Sequence, residues 1–266
     1  MANYLIGDIH GRYLEFMQLL KNICFDFKND TLWSTGDVVF KGNFSFKTLK
    51  FLYKNRKSIK IVLGNHEIKL INLYYEGFLE KNSEFHNKNE TKKIILWLKK
   101  QPFFRIDKKN NFLISHAGIH PHFHKIKEIK KISNTLEFFL KNKTNFFLNH
   151  IMKKRKIYKK SKKFLERLQF YLNSFIYMRY CFSDGSIDTK YKDIPENTPN
   201  ILKPWFIFES KIFKKYSIIF GHWSTLYSTK ISIPKNIYCL DTGCCWGGKL
   251  SILKWESKKI FSIFCK

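Results

Sequence analysis

Residues 60–67 read KIVLGNHE. The apolar run Ile61-Val62-Leu63 has the composition of a buried strand. It halts at Gly64 and presents an amide, an imidazole and a carboxylate in succession: Asn65, His66 and Glu67. The same event recurs along the chain. YLIGDIHG ends an apolar run on Asp8 and His10, TLWSTGD on Asp37, NFLISHAG on His116 and YSIIFGH on His222. In all five, Gly or Ser immediately precedes the first polar group. One such stop is an ordinary turn. Five in one chain are poorly described as independent turns.

The segments between the early stops have helical spacing. Leu14, Met17, Leu20 and Ile23, with Phe16 and Leu19 beside them, fit one face, Phe46, Leu49, Phe51 and Leu52 have helical spacing, and a further helix is predicted from Ile68 through Tyr75. Strand–helix alternation of this kind predicts an α/β fold. In open α/β sheets, ligands bind beyond the carboxyl ends of the strands. Five strands delivering polar groups at that edge therefore define one candidate site. Its inventory is two carboxylates, one amide and up to four imidazoles. Mixed oxygen and nitrogen donors suit Mn²⁺, Fe, Co²⁺ or Zn²⁺ better than Mg²⁺ or Ca²⁺. The donors are too many for one ion and sufficient for two.

With 266 residues, 44% of them hydrophobic and 17% aromatic, the chain can fill the core of one large domain. A formal charge of +28 would suit a polyanionic partner. Yet only six of the 49 basic residues are Arg, Ala occurs twice and Asn 20 times. That is the signature of AT-rich codons, and the lysines are dispersed rather than gathered in a block. Residues 123–179 combine Lys, Asn and Phe with helical periodicity and few strand signals, which predicts a helical insertion. Its most basic stretch, KKRKIYKKSKK at residues 153–163, has nearly none of the interleaved aromatics of a nucleic-acid platform and reads as a solvated helix face. His120, His122 and His124 in HAGIHPHFH read as loop residues, because Pro121 interrupts regular structure and no carboxylate matches them. No apolar run of about 18 residues is present, and no secretory signal is expected at the opening residues. The six cysteines form no C-x-x-C pair. Free thiols in a reducing cytoplasm are expected.

GDIHG, GNHE, HAG and GH together resemble the motif series of calcineurin-like metallophosphoesterases in the phosphoprotein phosphatase superfamily. ANYLIGDIHG, DTLWSTGD, IVLGNHE, SHAGI, LKPWF, FGHW and LDTGCCWGGKLS narrow the resemblance to the bacterial symmetrical diadenosine tetraphosphatases, from Ala2 to about Trp255. The resemblance implies a single domain over residues 1–266, an αββα sandwich of two mixed sheets flanked by helices. It implies two divalent metals, with Mn²⁺ or Co²⁺ expected ahead of Fe or Zn²⁺. Asp8, His10 and Asp37 would hold one ion; Asp37, Asn65, His116 and His222 would hold the other. His66, one residue past a ligand, would point away from the ligands and be the general acid, and Lys41 and Arg179 would bind phosphate. Glu67 reads as an orienting or helix-N-terminal carboxylate rather than a catalytic group. The implied reaction is symmetrical hydrolysis of diadenosine tetraphosphate to two ADP by a two-metal-activated hydroxide. A monomer acting on a dinucleoside polyphosphate is expected, with no membrane or specific nucleic-acid partner.

The series departs from its pattern at GDVVFKG. Lys41 replaces an arginine, which keeps the charge but loses the bidentate fork. Phe40 replaces the Asp that pairs with the acid His in protein phosphatases. This favours the nucleotide subfamily over a protein phosphatase, the alternative on the same fold. A nucleic-acid-binding protein on a decayed scaffold is the other alternative, and the intact ligand set disfavours it. Trp223 and Trp246 are candidate stacking partners for adenine, or core residues.

Overall fold

The polar stops coincide with strand ends in the computed structural model, which describes residues 1–81, 83–153 and 157–265. The chain divides into two compact units, Met1–Gln101 with Leu240–Lys266, and Pro102–Cys239. The first opens with β1 (Asn3–Ile6), α1 (Tyr13–Asn22), β2 (Thr31–Ser34), α2 (Ser45–Lys54), β3 (Ile59–Ile61), α3 (Asn65–Tyr75) and α4 (Lys88–Leu98). The second contains β4 (Phe104–Asp107), β5 (Phe112–Ser115), α5 (Ile126–Asn142), α6 (Thr144–Phe146), β6 (Ile157–Tyr158) and α7 (Phe164–Ile176). It continues through β7 (Tyr180–Cys181), β8 (Ile187–Asp188), β9 (Lys203–Pro204), α8 (Lys211–Lys215), β10 (Ser217–Phe220) and β11 (Ile237–Cys239). The chain then returns to the first unit with β12 (Lys249–Lys254) and β13 (Lys259–Phe264).

The first unit is built on a mixed sheet of order β13-β12-β1-β2-β3. Strands β1, β2 and β3 are parallel, with Ile6 opposite Ser34 and Ser34 opposite Ile61. Their carboxyl ends therefore share one edge. Leu5, Ile6, Leu32 and Trp33 are buried in succession rather than alternately, as expected where both faces of parallel strands are covered. Phe16 and Leu19 of α1 and Leu49 and Leu52 of α2 supply buried apolar faces. Strand β13 is largely exposed, consistent with its place at the sheet edge.

The second unit holds a mixed sheet of order β11-β10-β5-β4. Here β5, β10 and β11 are parallel and β4 is antiparallel to β5. A third, antiparallel sheet of two-residue strands runs β6-β8-β7-β9. Strands this short carry no readable alternation, so the sequence gives no sign of them.

Helices α5, α6 and α7 fill most of residues 123–179. The basic stretch at 153–163 is not a helix face where it is described: Ile157–Tyr158 is β6, and α7 begins only at Phe164. Residues 154–156 of that stretch lie outside the described residues. The β-prone pair Ile157-Tyr158 decides the matter locally. Tyr158 is buried, and its hydroxyl donates to the Lys153 carbonyl at 2.7 Å.

The cysteines also depart from expectation. Cys24, Cys181, Cys239 and Cys245 are free, but Cys244 and Cys265 form a disulfide. The antiparallel return of β13 along β12 carries Cys265 back to the turn that precedes β12, where its amide donates to the Gly248 carbonyl at 3.0 Å. Among the described residues, no helix is long and apolar enough to cross a membrane.

Candidate metal centre

Asp8 emerges two residues after β1, Asp37 three after β2, and Asn65 and His66 open α3 after β3. Tight packing at these turns explains their glycines. A Cβ on Gly7 would collide with the Leu240 carbonyl. Gly36 has φ +93°, and a Cβ there would lie 2.7 Å from the Gly64 nitrogen. No other residue fits either place without moving backbone.

Asp37 is the hub of the first unit's cluster. Its Oδ1 accepts from the His66 amide at 2.9 Å, and its Oδ2 lies 4.0 Å from His10 Nε2 and 3.9 Å from His66 Nε2. His10 Nε2 is also 4.0 Å from Asp8 Oδ2. The ligand atoms of His10, Asp37 and His66 all fall within 4.8 Å of one another. The His10 and His66 rings meet edge-on with centroids 4.8 Å apart. The sequence reading had His66 pointing away from the ligands. Its ring instead faces the Asp37 carboxylate, because the first turn of α3 starts against the Asp37 loop.

Glu67 builds that contact. Fully buried, it accepts from the amides of Asp37, Val38 and Gly64, each at 2.8 Å. One carboxylate thus ties the loop after β2 to the helix after β3. It also satisfies amide groups at a helix start, where negative charge is favoured. This is the orienting carboxylate the sequence suggested.

Two further supports carried no signal of their own in the sequence. Thr35 Oγ1 donates to Asp8 Oδ1 at 3.0 Å. The Val39 carbonyl is 3.2 Å from His10 Nδ1, a contact that directs Nε2 toward the carboxylates, as second-layer partners of metal-binding histidines do.

The loop from Asp37 to Gly42 is strained. His10, Asp37, Phe40 and Lys41 have φ of 49°, 48°, 67° and 68°. Each such non-glycine residue costs about 1–2 kcal/mol, and strain of this kind gathers at functional sites. Ser45 Oγ accepts from the Phe40 amide at 2.9 Å, and the Gly42 amide donates to the His10 carbonyl at 2.7 Å. These bonds hold the strained loop in place. The Phe40 ring lies 5.6 Å from that of His66, so an apolar group stands beside the imidazole.

The second unit carries its own cluster. His116 follows β5 directly, and His222 follows β10 after Gly221. The two strands are parallel with Ile219 opposite Ile114, which brings both histidines to one edge. Their ring centroids are 4.9 Å apart, and the Gly221 amide donates to the His116 carbonyl at 2.8 Å. His116 is fully buried, and His222 adopts φ 64°. Arg179 Nη2 donates to the His222 carbonyl at 2.8 Å. Trp223 is fully buried against Tyr180 and Phe206, which makes it a core residue.

The donor chemistry fits divalent transition metal. Asp8 and Asp37 are buried carboxylates with imidazole nitrogens gathered around them, the oxygen-plus-nitrogen set such ions select. Burial pushes the Cys245 thiol up to about 12.

The calcineurin-like phosphoesterase family pattern matches residues 4–223. The chain belongs to that family. It is 42% identical over 275 residues to the protein named bis(5'-nucleosyl)-tetraphosphatase, symmetrical, of Wigglesworthia glossinidia brevipalpis, with 100% of both chains covered. The Proteus mirabilis protein of the same name is 40% identical, covering 98% of this chain and 97% of its own. A solved structure described as a candidate diadenosine tetraphosphatase matches with TM-score 0.63 at 20% identity, covering 100% and 94% of the two chains. A cold-active protein-tyrosine phosphatase of Shewanella matches with TM-score 0.58 at 16% identity, covering 99% and 80%. At such identities these two structures speak for the fold alone.

Proposed function

We propose that this chain hydrolyses diadenosine tetraphosphate symmetrically, releasing two ADP, as a cytoplasmic monomer with two divalent ions, Mn²⁺ or Co²⁺ by preference. One observation carries the reading: an unbroken strand-end donor set stands in a chain that aligns end to end with relatives bearing that enzyme's name. The family match crosses the boundary between the two compact units, which supports treating residues 1–266 as one catalytic domain.

In this reading Asp8, His10 and Asp37 would hold one ion, and Asn65, His116 and His222, together with Asp37, would hold the other. When bound, such a pair supplies an activated water at neutral pH and takes up charge on the reacting phosphate. The chain's own groups do the rest. Glu67 fixes the Asp37 loop, so the shared carboxylate need not reorganise during the reaction. His66, held by its amide on Asp37 Oδ1, gives a proton to the departing phosphate oxygen. Lys41 and Arg179 neutralise the non-reacting phosphate oxygens.

The test is chromatography of the products formed from diadenosine tetraphosphate with Mn²⁺ or Co²⁺ present. ADP alone is the expected result. A mixture of ATP and AMP, or no turnover with either ion, overturns the proposal.

A further inference from the structure

Most tryptophans of this chain serve as packing material, but Trp246 does not. It is 70% exposed, an unusual state for so large an apolar ring. Its backbone is nonetheless tightly fixed. Gly243 and Gly247 flank the turn in left-handed conformations with φ of 76° and 79°. The amides of Trp246 and Gly248 both donate to the Gly243 carbonyl, at 2.8 and 2.9 Å. Asp241 Oδ1 accepts from the Gly243 amide at 3.1 Å. The disulfide from Cys244 to Cys265 ties the turn to the strand beyond it. A rigidly mounted ring facing solvent loses little freedom when something stacks on it.

Two observations place this ring beside the loop proposed to bind phosphate. Lys41 Nζ lies 5.0 Å from the centroid of the Trp246 ring, and Lys41 ends the strained loop that begins at Asp37. Gly7, the residue before Asp8, packs against the segment leading into this turn so closely that a Cβ there would collide with the Leu240 carbonyl and lie 3.1 Å from the Asp241 nitrogen. The turn therefore sits at the rim of the first unit's cluster. An exposed indole next to a lysine matches the two parts of a nucleotide, a flat base and an anionic chain.

We propose that Trp246 is the platform on which one purine base of the substrate stacks, and that Lys41 spans from this ring to the adjoining phosphates. The assignment rests on the nucleotide reading of the site given above. It makes Trp246 a specificity-determining residue: it rewards a base-bearing polyphosphate over a bare one. The ammonium rests against the indole through a cation–π contact and shifts toward phosphate when substrate is present.

The experiment is calorimetric binding, in Mn²⁺, of a non-hydrolysable methylene-bridged diadenosine tetraphosphate and of inorganic tetraphosphate. The readout is the ratio of their Kd values. Base stacking is worth about 10- to 100-fold in affinity. The ratio should collapse by about that factor in Trp246→Ala and recover in Trp246→Tyr, with unchanged thermal melting in both. A ratio unaltered in Trp246→Ala overturns the platform while leaving the substrate class standing. A wild-type protein that binds both ligands equally overturns the platform and the nucleotide substrate together. Symmetric cleavage is judged separately, by the product analysis, so its failure is not confused with that of the platform.

Discussion

Glu67 shows how one side chain can set the geometry of several. Its carboxylate accepts three amide hydrogen bonds from two chain segments, and hydrogen bonds to a charged acceptor are the stronger kind. Glu67→Gln keeps the size but turns one acceptor into a donor facing amide donors. The Asp37 loop should then loosen. Mn²⁺ affinity measured by titration calorimetry is expected to fall about 10- to 100-fold while far-ultraviolet circular dichroism stays the same. Equal affinity in the variant would show that the loop holds its shape without the carboxylate. The sequence read position 67 as an orienting or helix-starting carboxylate. The distance from Glu67 to Asp37 along the chain hid which amides it would hold.

At the scale of elements, five parallel or near-edge strands deliver their polar groups just past their ends. Register carries that property, with Ile6, Ser34 and Ile61 in line in one sheet and Ile114 and Ile219 in line in the other. The apolar runs and glycine stops were readable because buried parallel strands need continuous hydrophobic residues. The two-residue strands were not readable, since two residues define no period.

The loop after β5 contains an element-level feature of a different sort. His120 is buried, with Nδ1 accepting from the His122 amide at 3.2 Å and Nε2 3.0 Å from the Gly185 carbonyl. These contacts suit a neutral ring protonated on Nε2. Burial, followed by the nearby His122, pushes its pKa down to about 3. The folded state therefore binds fewer protons than the unfolded state between about pH 3 and pH 6.5. The stabilisation is complete above about pH 6.5 and is lost as pH falls through that window. The slope from this one proton approaches about 1.4 kcal/mol per pH unit. Denaturant unfolding between pH 5 and 6.5 should show it, and His120→Leu should flatten the dependence by about one proton. Equal slopes in the two proteins would mean that His120 is protonated within the fold.

For the whole molecule, the disulfide between Cys244 and Cys265 joins positions 21 residues apart in sequence. Closing a loop of that size in the unfolded chain is worth about 3 kcal/mol of stability. Unfolding in dithiothreitol should be easier by about that amount. Alkylation of denatured protein should add four labels without reductant and six after reduction, matching the four free cysteines and the total of six. Six labels in both cases would refute the pairing. The charge of +28 has its own molecular signature. The lysines are spread over the surface of both units, as their scatter along the sequence suggested.

The sequence by itself determined the family, the strand ends and the candidate donor groups. Each depends on local chemistry: an apolar run, a glycine that permits a tight turn, and a polar residue placed after it. Only the tertiary structure decided that Glu67 braces Asp37, that His66 turns toward the ligands, that Cys244 meets Cys265, and that Trp246 faces solvent while Trp223 is buried. These depend on which distant segments pack side by side, and a local pattern carries no record of its partner.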